Sequence, residues 1–117
     1  MNDSDMQVDP ITTVTAATFE RMVLQADRPV AVEFMSYACA HCGAIEPALQ
    51  HAAAVLATQE RVFRVNIALD PDLARSFAIQ GTPTIVLFRG GREAGRVEGP
   101  LPTQSSVLAA LTDPFEA

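Results

Sequence analysis

Two cysteines, the only two in the chain, lie three residues apart at Cys39 and Cys42. Ala40 and His41 separate them, so the segment has the pattern Cys-x-x-Cys. Residues i and i+3 of a helix share a face, and two thiols at this spacing come within disulfide-bonding distance. A dithiol of this kind can exchange with other disulfides, because a thiolate attacks a disulfide sulfur. The spacing therefore indicates a redox-active pair.

Two other roles for the cysteines stay open at this point. Both could be small core residues without any chemistry. With His41 they would offer three metal ligands, whereas a structural zinc site has four and the sequence contains no second cluster of ligands. An iron–sulfur carrier that uses Cys39 and Cys42 across a dimer is a further possibility. We expect neither a bound metal nor a cofactor.

The two cysteines fall between a predicted strand and a predicted helix. Residues 30–35 form an apolar run of strand length directly after Pro29, which predicts a central strand covered on both faces. Apolar residues then recur at helical spacing over residues 40–57. Cys39 thus precedes a helix, where free N–H groups and the helix dipole stabilise a thiolate.

The rest of the chain predicts alternating strands and helices. We expect an edge strand at 11–14, a helix that begins at Thr15, strands at 61–67, 84–88 and 94–98, a hairpin turn at 89–92 and a short helix at 71–77. Thr103 caps a last helix, whose inward residues are Val107, Leu108 and Leu111. This order predicts a mixed α/β sheet with helices on both faces. Residues 1–10 are expected to be a flexible tail, and 11–117 a single domain.

Composition and charge exclude several classes of function. The chain has 117 residues, of which 49% are hydrophobic and 19% charged, as in a globular domain. A net charge of −6 without any lysine disfavours a nucleic-acid or membrane-surface ligand. No apolar run approaches the length of a membrane-spanning helix. Because the N-terminus lacks the basic and apolar regions of a signal peptide, we expect a cytoplasmic protein.

From about Val14 to Leu111 the sequence resembles the thioredoxin family. The motifs that carry the resemblance are Val32-Glu33-Phe34, Cys39-Ala40-His41-Cys42, Pro47, Val65-Asn66-Ile67, Gly81-Thr82-Pro83-Thr84, Leu87-Phe88-Arg89-Gly90-Gly91 and Gly99. The resemblance implies a thioredoxin-like fold, with a mixed central sheet and helices on both faces. It also implies a thiol–disulfide oxidoreductase that acts on protein substrates and serves electron transport and cell redox homeostasis.

The resemblance implies a role for each residue of the site. Cys39 would be the exposed nucleophile and Cys42 the buried resolving thiol, and the two would form the redox disulfide. Pro83 would be a cis-proline that faces the dithiol. The backbone of Thr82 would pair with a bound substrate chain. The implied substrate-binding surface comprises Ala38, Ala40, Thr82, Pro83 and Gly99.

Glu33 is a carboxylate in the middle of an apolar strand. The family places an acid here, more often Asp, which relays a proton to and from the resolving cysteine. The alternative is that Glu33 reaches solvent or pairs with Arg64. Because arginine does not release its proton, such a contact would hold Glu33 ionised. His41 is expected to stabilise the Cys39 thiolate and so to make the dithiol more oxidising than that of a typical thioredoxin.

The sequence departs from the family pattern Trp-Cys-Gly-Pro-Cys. Met35 and Ala38 stand where the family has two tryptophans, and we expect Met35 and Tyr37 to be packing residues. The Cys-x-His-Cys form is similar to that of periplasmic disulfide oxidases, so reductase, oxidase and isomerase directions stay open. An alternative function is a binding or chaperone-like accessory module with little redox turnover. The family also implies a flavin-dependent NADPH reductase as electron donor, and we expect a monomer.

Overall fold

Five strands form one mixed sheet in the computed structural model, which describes residues 9–101 and 103–116. The strands are β1 (Ile11–Thr13), β2 (Val30–Met35), β3 (Arg61–Asn66), β4 (Thr84–Arg89) and β5 (Arg92–Glu98). Their spatial order is β1-β3-β2-β4-β5. β1, β2 and β3 are parallel, whereas β4 runs antiparallel to β2 and β5 antiparallel to β4. The predicted mixed sheet with a central strand at 30–35 is confirmed.

In the part of the chain that the structure describes, three α-helices accompany the sheet, namely α1 (Ala40–Val55), α2 (Pro71–Ser76) and α3 (Gln104–Glu116). The helix predicted to begin at Thr15 is wrong in extent, because this region contains only a π-helical segment at Glu20–Leu24. Thr15 and Thr18 form a turn instead, in which the Thr18 hydroxyl accepts a hydrogen bond from the Thr15 N–H at 3.0 Å. The Phe19 N–H donates to the Thr15 carbonyl oxygen at 2.9 Å, so the hydroxyl caps a single helical turn, and the regular segment begins only at Glu20.

The sheet separates two core layers. Alternate side chains of a strand point to opposite faces, so Ala31 packs with α1 and α3 while Val30, Val32 and Phe34 pack on the other face. In α3, Val107 and Leu111 are buried as predicted. Leu108 is 39% exposed, so its predicted inward orientation is wrong. The buried face of α3 consists of Val107, Ala110 and Leu111, at positions i, i+3 and i+4.

The second layer is built around phenylalanine rings. The contacts are Phe19–Phe77, Phe77–Phe88, Phe19–Phe88 and Phe34–Phe77, with ring centroids 5.3, 5.4, 5.7 and 6.0 Å apart. Large rings fill this side because the helical elements that cover it, Glu20–Leu24 and α2, are only five and six residues long. The helix α1, which begins at the cysteines, packs on the opposite face with aliphatic residues.

A two-residue turn joins β4 to β5, as predicted. Gly90 and Gly91 have φ angles of 61° and 80°, and a pair of positive φ angles matches the twist of a hairpin. A Cβ atom on Gly91 would lie 2.9 Å from the carbonyl oxygen of Leu24. Glycine is therefore required at position 91 both for conformation and for space.

Three segments converge at one edge of the sheet. α1 begins shortly after the carboxyl end of β2, and Phe34 near that end pairs with Thr84 at the start of antiparallel β4. Thr84 also pairs with Glu98 at the end of β5. The register therefore brings the cysteines, the residues before β4 and the residues after β5 to the same place.

Of the predicted tail, residues 1–8 lie outside the described residues. Asp9 and Pro10 are exposed, and the Asp9 carboxylate accepts a hydrogen bond from the Ile11 N–H at 2.8 Å. The boundary between tail and domain stays a prediction. Within the described part of the chain, no helix has the length and apolar character needed to cross a membrane.

Candidate active site

Cys39 occupies the N-cap of α1. Its backbone is extended, with φ −87° and ψ 116°, and its sulfur accepts a hydrogen bond from the Cys42 N–H at 3.2 Å. Burial raises the pKa of the Cys39 thiol, but hydrogen bonds from the Cys42 and Thr82 side chains and from the backbone N–H groups of Cys42 and His41 outweigh this effect. The pKa therefore lies below its ordinary value of 9.0. A thiolate at Cys39 is stabilised.

Cys42 lies one turn inside α1 and is 2% exposed. Burial, followed by the hydrogen bond with Cys39, raises the pKa of the Cys42 thiol to about 11. Both thiols are free. The two sulfurs are thus unequal, with a partly exposed sulfur that favours the thiolate and a buried one that favours the thiol.

The Thr82–Pro83 peptide bond is cis, as the resemblance implies. The Cys39 thiol contacts this segment, donating a hydrogen bond to the Thr82 carbonyl oxygen at 3.4 Å. The Gly99 N–H in turn donates to the Pro83 carbonyl oxygen at 2.8 Å. The structure therefore brings Cys39, Thr82, Pro83 and Gly99 together.

Gly99 lies against the proline ring. A Cβ atom at this position would lie 2.7 Å from Cγ and 2.8 Å from Cδ of Pro83. The ring is rigid, so only glycine fits beside it without displacement. The Gly99–Pro100 bond is also cis, and no motif in the sequence indicates it.

These residues belong to a chain segment, 10–113, that matches the family model described as Thioredoxin. The chain belongs to the thioredoxin family. A thioredoxin from Mycobacterium bovis is 30% identical over 110 residues, which is 94% of each chain. A thioredoxin from Rhodospirillum rubrum is 35% identical over 89 residues, which cover 76% of this chain and 86% of that protein.

A third relative is a longer protein. The bifunctional thioredoxin reductase/thioredoxin of Mycobacterium leprae is 34% identical over 100 residues, which are 86% of this chain and 22% of that protein. Together the relatives and the family model identify a thiol–disulfide oxidoreductase, and members of the thioredoxin family act on protein disulfides. The accessory-module alternative is not favoured.

The thioredoxin pattern is altered around the cysteines. Met35 is 3% exposed and packs inside, as predicted, but Tyr37 is 75% exposed and the packing prediction for it is wrong. Tyr37 lies beyond the last residue of β2, in a turn that leaves the sheet before its side chain can be covered. Ala38 and Ala40, from the implied substrate surface, are exposed as well.

His41 is exposed on the first turn of α1. Its backbone N–H is one of the groups that lower the pKa of the Cys39 thiol. The expected contribution of the imidazole itself stays a prediction.

Glu33 is buried, with 1% of its surface exposed, on the face of the sheet that carries α1. The register of β2 and β3 places it beside Arg64, and 3.7 Å separates Arg64 Nε from Glu33 Oε1. This distance is too long for a hydrogen bond, and neither oxygen of Glu33 has a hydrogen-bond partner among the described residues. The proposed exposure to solvent is wrong, while the contact with Arg64 exists as a charge contact.

Burial raises the pKa of Glu33 to about 7 and outweighs the opposite effect of the Arg64 charge. Contrary to the expectation that contact with Arg64 holds Glu33 ionised, the contact does not keep the pKa of this carboxyl group at its ordinary value. The physical reason is the length of the contact, since an unbonded carboxylate has lost its water without gaining hydrogen bonds.

Sequence reasoning missed Glu46, which lies four residues after Cys42 on α1. A cavity of about 190 Å³ is lined by Met35, Ser36, Tyr37, Cys42, Gly43, Glu46 and Arg64. The i, i+4 spacing from Cys42 could have suggested that Glu46 faces the same side of the helix. Among the described residues, no group of three His, Cys, Asp or Glu side chains is arranged to hold a metal ion.

Proposed function

We propose that Cys39 is the nucleophile and Cys42 the resolving thiol in exchange with protein disulfides. The observation that carries this proposal is the contrast between the two thiols at the start of α1. The partly exposed Cys39 sulfur accepts the Cys42 N–H, and its pKa is lowered. Cys42 is buried and its pKa is raised to about 11. Of the two thiols, Cys39 has the lowered pKa and is the one open to a partner.

The reaction runs in two steps. The Cys39 thiolate attacks one sulfur of a substrate disulfide, forming a mixed disulfide while the other substrate sulfur leaves as a thiolate. The Cys42 thiol then loses its proton and attacks the Cys39 sulfur. The Cys39–Cys42 disulfide forms and the second substrate sulfur leaves with the electron pair. The substrate gains two electrons and the dithiol loses two.

The substrate-binding surface of the proposal comprises Ala38, Ala40, Thr82, Pro83 and Gly99. Ala38 and Ala40 are exposed beside Cys39. Thr82 contacts the Cys39 sulfur through its carbonyl group, and its N–H has no acceptor among the described residues. An extended substrate chain that pairs with this N–H would bring its disulfide to Cys39.

Glu33 is proposed as the group that takes the proton from Cys42. Its side chain is buried on the α1 face of the sheet, and its pKa of about 7 lets it both accept and release a proton near neutrality. The proton moves from the Cys42 sulfur to the Glu33 carboxylate during resolution and returns when the disulfide is reduced. His41 is proposed to favour the thiolate of Cys39.

A flavin-dependent reductase that draws electrons from NADPH is proposed as the partner that restores the dithiol. The support is the Mycobacterium leprae relative, a bifunctional protein that joins a thioredoxin reductase to a thioredoxin. We further propose a cytoplasmic monomer that serves redox homeostasis, with residues 1–10 as a tail ahead of the domain.

The cysteine roles can be tested by trapping. Cys42→Ser should accumulate mixed disulfides with substrate proteins, because attack by Cys39 no longer has a resolving step. Cys39→Ser should accumulate none. Non-reducing electrophoresis with mass spectrometry of the adducts identifies the bonded sulfur. Adducts formed through Cys42 instead would overturn the assignment.

The role of Glu33 can be tested by its amide. Glu33→Gln keeps the shape and removes the proton acceptor, so insulin reduction near pH 7 should slow roughly tenfold or more with an unchanged fold. Glu33→Asp keeps an acid and serves as the matched control. Equal exchange rates for Glu33→Gln and wild type across pH 6 to 8 would show that Glu33 does not relay the proton.

A further inference from the structure

Arg64 is a buried cation shared by three carboxylates. Its side chain is 7% exposed, and it lies 2.5 Å from Glu46 (Nη2 to Oε2), 3.5 Å from Asp9 (Nη1 to Oδ2) and 3.7 Å from Glu33 (Nε to Oε1). Of these, only the contact with Glu46 is a short, direct hydrogen bond. Glu46 therefore determines where the guanidinium lies.

The Glu46 carboxylate is itself held by a hydrogen bond from Gln50, nearer the protein surface. Gln50, one turn further along α1, donates through Nε2 to Glu46 Oε2 at 2.7 Å and to Asp9 Oδ1 at 2.8 Å. The side chain of Glu46 is 34% exposed, whereas Glu33 is 1% exposed. An outer pair of acids thus draws the guanidinium toward the surface.

The inner side of Arg64 is left unpaired as a result. Nε of Arg64 and both oxygens of Glu33 lack hydrogen bonds to any described residue. The charged groups that act on Glu33 are Arg64 from β3 and Glu46 from α1, while β4 presents the apolar Ile85 beside it in the register. Cys42 of α1 lines the same cavity as Glu46 and Arg64.

We propose that Glu46 is a positioning residue, which holds the Arg64 guanidinium away from Glu33 and so leaves Glu33 free to exchange a proton with Cys42. This inference rests on the proton relay proposed for Glu33. An arginine that formed a paired hydrogen bond with Glu33 would keep that carboxylate ionised and bonded, because arginine does not give up its proton. Glu46 prevents this pairing by forming the stronger bond.

Removing the charge of Glu46 should lower the pKa of Glu33 in two ways. The charge of Arg64 favours the ionised form of Glu33, and the charge of Glu46 disfavours it. In Glu46→Gln one negative charge is gone and the guanidinium is released toward Glu33. Both changes lower the pKa of Glu33, so this carboxyl group should lose its proton at lower pH.

The experiment follows the Glu33 carboxyl directly in the reduced, full-length protein by carbon-13 NMR titration. The midpoint should fall in Glu46→Gln by about one pH unit or more, a tenfold change in the proton affinity of Glu33. Glu46→Asp retains the charge and should restore a midpoint close to wild type. Glu20→Gln makes the same charge change at an exposed residue remote from Arg64 and should leave the midpoint unchanged.

A second readout separates this inference from the relay itself. The rate of the resolving step, measured in single-turnover experiments across pH 5 to 9, should shift along the pH axis with the Glu33 midpoint. An unchanged midpoint in Glu46→Gln would overturn the role of Glu46. A shifted midpoint with an unshifted rate profile would instead overturn the relay by Glu33, while the control of Arg64 by Glu46 would stand.

Discussion

Glu60, a buried carboxyl group remote from the cysteines, should make the free energy of unfolding of this protein depend on pH. It immediately precedes β3, the residue is 5% exposed, and its Oε1 has no hydrogen-bond partner among the described residues. Burial raises the pKa of Glu60 from 4.5 to about 7. Glu60→Gln removes the ionisation and keeps the shape of the side chain.

The size of the effect follows from the two pKa values. A raised pKa means that the folded state holds the proton more tightly than the unfolded state, so folding becomes less favourable as the pH rises. The cost is absent below pH 4.5, where both states are protonated, and complete once the pH passes about 7. A shift from 4.5 to about 7 corresponds to about 3 kcal/mol, an upper bound since Glu60 stands at a strand end that can relax.

The assay is urea unfolding of the reduced protein between pH 5 and 8.5. The free energy of unfolding of Glu60→Gln minus that of wild type should increase with pH, from below about 1 kcal/mol at pH 5 toward about 3 kcal/mol at pH 8.5. Glu33 and the cysteines titrate equally in both proteins and cancel. Glu98→Gln makes the same substitution at an exposed carboxylate and serves as the control. A difference between Glu60→Gln and wild type that does not vary with pH would refute the reasoning.

Two further predictions concern the surroundings of Cys39. Gly99→Ala should lower the free energy of unfolding by about 1–3 kcal/mol and slow insulin reduction, because its Cβ atom would displace the Pro83 ring, which lies 2.7 Å away. Gly81→Ala adds a Cβ atom in open space, and equal losses in both variants would contradict the steric explanation. His41→Pro removes an N–H that stabilises the thiolate, so redox equilibrium with glutathione should favour the disulfide by about tenfold, or 30 mV. His41→Ala keeps the N–H and should shift the equilibrium less, whereas equal shifts would assign the effect to the imidazole.

Local sequence patterns were sufficient to predict the central strand and the hairpin turn. The apolar run at 30–35 predicted a central strand because both faces of that strand are covered, and all six residues are indeed buried. Gly90 and Gly91 predicted a hairpin because few other residues adopt positive φ angles. The helix predicted from Thr15 was too long, because the chain forms a turn at Thr15 and Thr18 before the π-helical segment at Glu20–Leu24. Apolar periodicity does not specify where regular helical hydrogen bonding begins.

The sequence predicted those residues of the site that are close to one another in the chain or belong to a family motif. Cys39, Cys42 and the cis bond before Pro83 are of this kind. The surroundings of Arg64 are not, because Asp9 and Glu46 approach it from separate elements and only the folded chain brings them together. The pKa of Glu33 was misjudged for the same reason, since it depends on a gap of 3.7 Å that no sequence pattern specifies.

The exposed position of Tyr37 gives the protein a built-in optical reporter. The chain contains one tyrosine and no tryptophan, and the phenylalanine rings that pack together lie on the opposite side of the sheet from α1. Tyr37 lines the cavity that Cys42 also lines. Intrinsic tyrosine emission therefore comes from a single fluorophore beside the dithiol. Docking of a partner protein at this edge, or a change of the cavity on oxidation, can be followed in unlabelled wild-type protein.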